Sequence, residues 1–214
     1  IGTVDGGMSR LDLESGKAIS YRHNDDDPAS LSSNEVWAIF KDSRDILWVG
    51  TTEGLDRLDP GASGFTHYDR NYPEDEDTLS GMVYDIVEDK YHNLWLGTSR
   101  GLTRYNRRTD TFTHFTHDST NPDSISASSV VKVYIDSYSN LWAGTFSNGL
   151  DMYDSVTGKF IHYRNDLNVS GSLSNNSVIS LLQDSHGGMW VGTDGGGLNY
   201  LDPATNTFTT IREK

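Results

Sequence analysis

The sequence predicts an all-β fold made of repeated units, and three observations lead to this prediction. A block of the form Leu-Trp-x-Gly-Thr, with Met replacing Leu in the last copy, recurs four times at intervals of 47, 47 and 48 residues. Each interval contains four apolar runs of about four to six residues, separated by Gly, Asp, Asn and Ser, which is typical of strands and turns. No stretch shows a helical period over three turns. Four antiparallel strands per unit of about 45 residues describe the blade of a β-propeller.

The repeat can be divided into blades, whose strands we label a, b, c and d in chain order. Strand a is an apolar run followed by Asp, strand b contains the Trp, strand c begins at Gly-Leu and strand d is aromatic. The predicted boundaries are 1–22 for an incomplete blade 1, 35–68 for blade 2, 82–115 for blade 3, 129–163 for blade 4 and 177–211 for blade 5. About four and a half blades of one propeller domain are therefore expected. They form part of a larger ring, a ring completed by another copy, or a closed five-bladed ring with a thin first blade.

The composition argues against several classes of function. Acidic residues outnumber basic residues by 31 to 17, and the net charge of −14 disfavours nucleic acid and anionic membrane surfaces as partners. There is no cysteine, so disulfides and thiolate metal sites are excluded. No apolar run approaches the ~20 residues that span a bilayer, and no signal peptide is visible. The chain starts at Ile1 without a Met, and we expect it to be an excised piece that has lost any targeting segment.

Two columns of residues recur in every complete blade, and both are expected to be structural. The Trp column should pack between neighbouring sheets, where an indole covers a large apolar area. The Asp column follows strand a, where a carboxylate can accept backbone N–H bonds and fix the a–b turn. The columns are Trp48, Trp95, Trp142 and Trp190, and Asp42, Asp89, Asp136 and Asp184. We expect no catalytic residue among them.

Other clusters look like metal or phosphate sites but are not predicted to be such sites. His67, His114 and His162 share a column in strand d, so they belong to different blades, whereas zinc needs its ligands ~2.0–2.1 Å from one centre. The acidic clusters of the d–a loops have oxygens suited to Ca²⁺ but lack the spacing of an EF-hand loop. The glycines at 195–197 do not precede a helix, so they are weak candidates for a phosphate site. We therefore expect no metal and no cofactor. The two acidic clusters are Asp25-Asp26-Asp27 and Glu74-Asp75-Glu76-Asp77.

Positions that differ between units are the candidate functional positions. In propellers the b–c and d–a loops open on one face, and a mixed polar and aromatic rim there suits a sugar or a peptide. The candidate ligand-binding residues on this face are Glu53, Arg100, Phe146, Asn148 and Asp194, with Trp37 and Tyr84 at the starts of strand a. A second varying column, in the middle of strand a, is expected to line or approach a central channel. Its members are Asp85, Lys132 and Ser180. Asp85 and Lys132 of this column lie on adjacent blades and could pair.

The recurring pattern resembles the two-component regulator propeller repeat. That resemblance rests on V-x-x-I-x-x-D-x-x-x-x-L-W-x-G-T-x-x-G-L, with Ser-Leu-Ser or a close variant before it at 30–32, 78–80, 124–126 and 172–174. It covers essentially the whole chain. The family's blades form the periplasmic sensing part of membrane-bound regulators, either hybrid histidine kinases or, less often, diguanylate cyclases, and many sense saccharides. The resemblance thus implies a non-catalytic sensor region that recognises an extracytoplasmic saccharide or similar ligand in signal transduction.

Two other functions remain open at this stage. A protein–protein interaction or self-assembling scaffold would follow if the incomplete blade leaves apolar faces uncovered, to be covered by the remaining blades of the parent chain or by a second copy. A propeller lyase or glycosidase would need an acid–base constellation on the loop face. The single candidates Glu53 and Asp194 lie on separate blades with no visible partner, so we do not expect an enzyme.

Overall fold

The computed structural model describes residues 1–69, 79 and 81–212, and over these residues the chain consists of strands and turns. The strands form one two-stranded sheet and four four-stranded sheets, and in each sheet the spatial order follows the chain order. The predicted all-β propeller of four-stranded antiparallel blades is confirmed. Within the described ranges, no helix is long and apolar enough to cross a membrane. The acidic cluster Glu74-Asp75-Glu76-Asp77 and most of the 78–80 motif fall outside the described residues.

The strands of each blade follow one another at short intervals. Blade 1 contains β1 (Met8–Leu11) and β2 (Ala18–Tyr21), and an isolated bridge joins Gly2 to Met8. Blade 2 contains β3 (Val36–Lys41), β4 (Leu47–Thr51), β5 (Gly54–Leu58) and β6 (Thr66–Asp69). Blade 3 contains β7 (Val83–Glu88), β8 (Leu94–Thr98), β9 (Gly101–Asn106) and β10 (Thr111–Phe115). Blade 4 contains β11 (Val130–Ile135), β12 (Leu141–Thr145), β13 (Leu150–Asp154) and β14 (Lys159–Tyr163). Blade 5 contains β15 (Val178–Gln183), β16 (Met189–Thr193), β17 (Gly197–Asp202) and β18 (Thr207–Ile211).

The chain divides into two compact units. Unit 1 comprises Ile1–Thr98 and Thr103–Thr113, and unit 2 comprises Ser99–Leu102 and His114–Lys214. In unit 1, strand β7 lies beside β3 and against β4 of the preceding blade. In unit 2, strand β15 lies in the same way beside β11 and β12. Unit 1 therefore contains a contact of blade 2 with blade 3, and unit 2 contains a contact of blade 4 with blade 5.

Apolar side chains fill the space between successive blades. In unit 1, Trp48 and Leu55 of blade 2 are fully buried against Val83 and Leu96 of blade 3. A smaller cluster joins blade 1 to blade 2. In unit 2, Trp142 and its neighbours in blade 4 pack against apolar residues of blade 5 in the same manner. Removing one of these large side chains would cost roughly 3–5 kcal/mol of stability.

Every a–b turn is closed by the Asp and Trp that define the repeat. In blade 2, Asp42 Oδ1 accepts the backbone N–H groups of Arg44 (2.8 Å) and Ile46 (3.0 Å), while Asp42 Oδ2 accepts the indole N–H of Trp48 (2.8 Å). The indole–carboxylate bond recurs in blades 3, 4 and 5 at 3.0, 2.9 and 3.3 Å. Burial alone would raise the pKa of Asp42, but the hydrogen bonds from Trp48 and the backbone, with the charge of Arg107, hold that pKa below its ordinary value.

In three of the Gly-Thr pairs, the Gly allows the next blade to approach closely. A Cβ atom added at Gly50 would lie 2.7 Å from the carbonyl oxygen of Val83 and 2.8 Å from its Cγ1. The same valine contact exists at Gly2 with Val36, and at Gly144 with Val178. The strand a residue of the same blade also packs on this glycine, since Ala38 is paired with Gly50. Any larger residue would therefore push neighbouring blades apart.

We predict that Gly50→Ala lowers the stability of the protein by about 1–3 kcal/mol, because the new methyl group collides with the backbone of Val83. The urea midpoint of unfolding, followed by tryptophan fluorescence, measures the effect. Gly192→Ala is the matched control, because the only atom closer than 3.4 Å to its new Cβ is the hydroxyl oxygen of Ser180, which can rotate away. Equal losses in the two variants would contradict this account of the glycine column.

Candidate functional site

The b–c loops are shaped by the Thr that follows the glycine. The hydroxyl of Thr51 donates to the carbonyl of Gly54 (3.2 Å) and accepts the backbone N–H of Glu53 (3.1 Å). In unit 2, Thr145 donates to the carbonyl of Gly149 (2.8 Å) and accepts the N–H of Asn148 (3.0 Å). These hydrogen bonds lie within the turn itself, and the side chains at the tip of the turn are located at one end of each blade. Glu53 and Asn148 are two of the predicted site residues.

The d–a loops lie against the b–c loops at this same end, which we call the loop end. The hydroxyl of Ser32 is 2.9 Å from that of Thr51, and Ser33 is 2.9 Å from Thr52. In unit 2, Ser174 contacts Thr193 in the same way at 3.3 Å. The Leu or Ile between the two Ser or Thr residues is buried in all four loops at Leu31, Leu79, Ile125 and Leu173. The Ser-Leu-Ser motif thus anchors each d–a loop to its blade.

A histidine and a buried aspartate tie the d–a loop to the outer strands in two blades. In blade 4, Asp151 Oδ2 accepts the N–H of Ser126 (2.8 Å), while Asp151 Oδ1 lies 2.6 Å from Nδ1 of His162. Nε2 of His162 lies 2.9 Å from the carbonyl oxygen of Pro122. Because both ring nitrogens face acceptors, the doubly protonated imidazolium is favoured over neutral imidazole. The bond to Asp151 accordingly raises the pKa of His162 above its ordinary value.

Blade 2 has the same arrangement and blade 5 has an uncharged version of it. Asp56 accepts the N–H of Ser32 (2.9 Å) and contacts Nδ1 of His67 (2.7 Å), whose Nε2 is 2.9 Å from the carbonyl of Pro28. In blade 5, Asn199 accepts the N–H of Ser174 (3.0 Å) and the hydroxyl of Thr210 (3.1 Å). Sequence reasoning missed this pair of columns. The sequence does contain a signal for it, because the two positions change together. They are Asp and His in blades 2 and 4, and Asn and Thr in blade 5.

One predicted site residue, Glu53, lines a cleft at the loop end of unit 1. This cleft, which we call the blade 1–2 cleft, has a volume of about 380 Å³. Its polar lining also includes His23, Asp25, Asp27 and His67. His23 lies in the d–a loop that follows β2. Its Nδ1 lies 2.7 Å from the carbonyl of Leu31 and its Nε2 lies 2.9 Å from Asp25, and these bonds raise the pKa of His23.

Two further predicted residues of unit 1, Trp37 and Tyr84, form an aromatic pair. Their ring centroids are 5.6 Å apart in an edge-on arrangement. The strand register shifts between Val36 and Ala38, and the corresponding shift occurs in every complete blade, so Trp37 and Tyr84 each occupy a β-bulge. Trp37 is 52% exposed although it lies in strand β3. Bulges redirect side chains, and here the bulge keeps a large indole accessible near the loop end.

The predicted residues of unit 2 have different environments from one another. Phe146 is 58% exposed at the tip of its b–c loop, and Arg100 and Asp194 are also exposed. The amide of Asn148, in contrast, donates to the carbonyl of Ser126 at 2.6 Å and so holds the b–c loop to the d–a loop. Asn148 therefore has a structural contact where a ligand contact was expected.

The strand a column has a simple geometric position. Asp85, Lys132 and Ser180 are paired with Gly97, Gly144 and Gly192 of the adjacent strand b. Each side chain thus stands opposite a glycine. Their proposed place along a channel, and the pairing of Asp85 with Lys132, remain predictions.

Among the residues that the structure describes, no group of three or more His, Asp or Glu side chains is arranged to hold a metal ion. His67 and His162 make the structural contacts given above, and Asp25 contacts His23. The histidines of the blade 1–2 cleft, His23 and His67, make contacts within the protein through both ring nitrogens, and the carboxylates of its lining are Asp25, Asp27 and Glu53. No pair of them is arranged as a nucleophile with its base.

The comparisons with known proteins agree with the fold and the repeat. Residues 30–53, 79–100 and 172–195 match the family described as two component regulator propeller. These three segments of the chain are therefore similar to the two-component regulator propeller repeat. The search of curated proteins gave no match.

Several solved structures are similar to this chain. The extracellular domain of a hybrid two component system from B. thetaiotaomicron is 27% identical, with a TM-score of 0.51, over 93% of this chain and 31% of that one. PorZ, a surface component of the type-IX secretion system of Porphyromonas gingivalis, is 17% identical with a TM-score of 0.72, over 99% of this chain and 32% of that one. Virginiamycin B lyase from Staphylococcus aureus is 14% identical with a TM-score of 0.68, over 96% and 63%. The last two similarities show the fold alone. The chain spans about a third of the length of the first two structures.

We predict a pH-dependent loss of stability that is specific to the Asp151–His162 pair. A raised folded-state pKa means that the stabilisation is complete below the ordinary value of 6.5 and is lost as the pH rises through the folded-state pKa. The double variant Asp151→Asn with His162→Thr reproduces the uncharged pair of blade 5. Urea unfolding is measured between about pH 5 and 9, a range that includes the ordinary pKa of histidine. The free energy of unfolding should fall less with rising pH in the variant than in the wild type.

Arg164 is the other charged group that acts on His162, and it lowers the pKa. The remaining titratable groups, including His23, are unchanged in the double variant, so their contribution cancels in the comparison. Identical pH profiles for the two proteins would contradict the assignment of an imidazolium to His162.

Proposed function

We propose that this chain is a non-catalytic ligand-binding region of the extracytoplasmic sensor of a two-component-type regulator, and that its ligand is a saccharide or a similar polyhydroxy compound. The observation that carries the proposal is the position of the residues that vary between units. In unit 1 they gather at the loop end, where Glu53 lines the blade 1–2 cleft and Trp37 pairs with Tyr84. The family of the repeats, and the extracellular hybrid-system domain that the chain resembles, support a sensory role outside the cytoplasm.

The residues of the cleft suit a neutral, hydroxyl-rich ligand. Carboxylates such as Glu53, Asp25 and Asp27 accept hydrogen bonds from hydroxyl groups, and a cleft this acidic would repel an anion. At the same end of blade 2, Trp37 follows Val36, whose partner across the sheet is Thr51 at the base of the b–c turn. An exposed indole offers a flat apolar surface to the non-polar face of a sugar ring. Polar acceptors and an aromatic platform are therefore both present at the loop end of unit 1.

A binding role agrees better with this geometry than a catalytic one. Catalysis needs an acid and a base, or a nucleophile and its base, aimed at one point. The described histidines of blades 2 and 4 instead hold the d–a loops through both ring nitrogens. We place the protein in the periplasm on the same grounds as its sensory role. We assign it no cofactor and no nucleic-acid partner.

We predict that Trp37→Ala and Glu53→Gln each weaken saccharide binding at least tenfold, because they remove the aromatic platform and one acceptor. A glycan array identifies the oligosaccharide, and isothermal titration measures the affinity. Arg108→Ala is the control, since Arg108 is exposed in the c–d turn of blade 3, away from the loop end. Arg100→Ala and Phe146→Ala test whether the loop end of unit 2 contributes as well.

Three results would count against this proposal. Binding that survives both Trp37→Ala and Glu53→Gln would show that the site lies elsewhere. Turnover of a bound polysaccharide would favour the propeller lyase or glycosidase instead. The absence of binding to any glycan would favour a ligand of another class.

A second role, association with a further blade, is favoured by the flank of blade 5. Leu182, Leu198 and Ile211 are 61%, 39% and 52% exposed. Their counterparts on blade 2 are Phe40, Leu55 and Tyr68, which pack against blade 3. We propose that another repeat of the same kind covers this flank, either from the same protein or from a second copy.

We predict that Leu182→Glu combined with Ile211→Glu abolishes any self-association of the 214-residue chain, because it places two charges on the apolar flank. Light scattering gives the mass in solution for the wild type and the variant. A wild type that stays monomeric at high concentration would leave the parent chain as the source of the covering blade and would exclude self-assembly.

A further inference from the structure

A cavity lies between blades 4 and 5 of unit 2, at the end of the blades that carries the a–b and c–d turns. This blade 4–5 cavity has a volume of about 170 Å³ and is partly open to solvent. Cavities of about 150 Å³ with apolar walls bind benzene, so the space matches a six-membered ring. Its walls include Trp142, Met152, Met189 and Leu201, and its rim includes Tyr138 and Asn206.

The corresponding place between blades 2 and 3 of unit 1 is filled by side chains of the protein. Tyr105, the fifth residue of β9, stacks its ring on Phe112 at a centroid distance of 4.7 Å and contacts Trp48 edge-on at 5.8 Å. Arg107, two residues later, forms ion pairs with Asp42 and Glu88. Together these two side chains close the space beneath the Trp of the preceding blade.

In blade 5 both of these positions carry smaller residues. The fifth residue of β17 is Leu201, which has no ring, and two residues later Pro203 replaces the arginine. The neutral Gln183 occupies the position that Glu88 has in blade 3. Between blades 4 and 5 there is thus no pair of carboxylates at this place whose charge a cation would neutralise. The cavity therefore arises from substitutions within an otherwise repeated structure.

The groups that hold the tyrosine hydroxyl in unit 1 have counterparts in unit 2. The hydroxyl of Tyr105 donates to Asp110 Oδ1 at 2.6 Å and lies 3.0 Å from the hydroxyl of Tyr68. Tyr163 and Asn206 occupy the equivalent positions in blades 4 and 5. With no phenol between them, the hydroxyl of Tyr163 donates directly to Asn206 Oδ1 over 3.2 Å. Both partners of a phenol hydroxyl are thus retained beside the cavity.

We propose that the blade 4–5 cavity binds a phenol ring from outside the chain, in the position that the Tyr105 ring takes between blades 2 and 3. The ring packs against Trp142, and its hydroxyl donates to Asn206 Oδ1 while accepting from Tyr163. A free small phenol and the tyrosine side chain of a peptide offer the same chemistry. The site is separate from the loop end and does not depend on the proposed saccharide ligand.

The test is a titration of the protein with p-cresol, followed by the ¹H–¹⁵N resonances of the tryptophan indoles. We expect a saturable shift of the Trp142 resonance and not of the Trp48 resonance. Toluene, which lacks the hydroxyl, should bind about fivefold more weakly, as for the loss of one hydrogen bond. Leu201→Tyr should abolish the shift, because it fills the cavity with the residue that blade 3 has at this position.

Asn206→Ala provides a second variant if Leu201→Tyr fails to fold. It should bring p-cresol down to the affinity of toluene, whereas the control Asn168→Ala, in an exposed d–a loop, should have no effect. A titration with N-acetyltyrosinamide separates the two sources of the ring, since binding as tight as that of p-cresol indicates a peptide and weaker binding indicates a free phenol. The proposal is overturned if p-cresol causes no saturable shift of Trp142, if toluene binds equally well, or if Leu201→Tyr binds p-cresol like the wild type.

Discussion

The close contact between a glycine in one blade and a valine in the next is the constraint on which the rest of this structure depends. At Gly50 and Gly144 the backbone of strand b approaches strand a of the following blade so closely that no Cβ could be placed between them. This approach sets the separation of the sheets at the inner strands. The large Trp and Leu side chains fill the remaining space between the same two sheets. Within each unit, a close glycine contact and a large buried indole thus lie on the same strand b.

The same constraint places the b–c and d–a loops. Because the glycine is followed by Thr, the b–c turn begins at the point where two blades are closest, and the Thr hydroxyl closes the turn. The d–a loop must then pass beside this turn, and Ser32 and Ser174 fix it there through Thr51 and Thr193. Loops held at both ends by hydrogen bonds can vary at their tips without loss of the fold. The side chains at the tips of the b–c loops, such as Glu53 and Asp194, can therefore differ in charge and aromaticity while the hydrogen bonds beneath them are kept.

The sequence predicts the architecture well, because the repeat reports it four times. Strand order, the Asp of the a–b turn and the Trp between sheets all follow from columns that one chain displays side by side. The positions of the candidate residues at the ends of strands also follow from the repeat. The contacts of these residues do not follow from the repeat. Nothing in the sequence shows that the Asn148 amide donates to the carbonyl of Ser126, or that Trp37 occupies a bulge that leaves it exposed. These depend on register shifts and side-chain directions that periodicity leaves undetermined.

Substitutions at equivalent positions explain how a repeated scaffold acquires sites that its repeats do not share. Between blades 2 and 3, Arg107 neutralises Asp42 and Glu88, and the charges of these carboxylates hold it in place. Asp136 takes instead a second donor from its own blade, the amide of Asn140 at 2.9 Å, so Pro203 can replace the arginine without leaving the carboxylate short of donors. Because no arginine is needed to neutralise a second carboxylate, the space that Arg107 fills between blades 2 and 3 need not be filled between blades 4 and 5. The cavity beside Trp142 follows from that local exchange of donors, while the indole–carboxylate bond and the strands around it are retained.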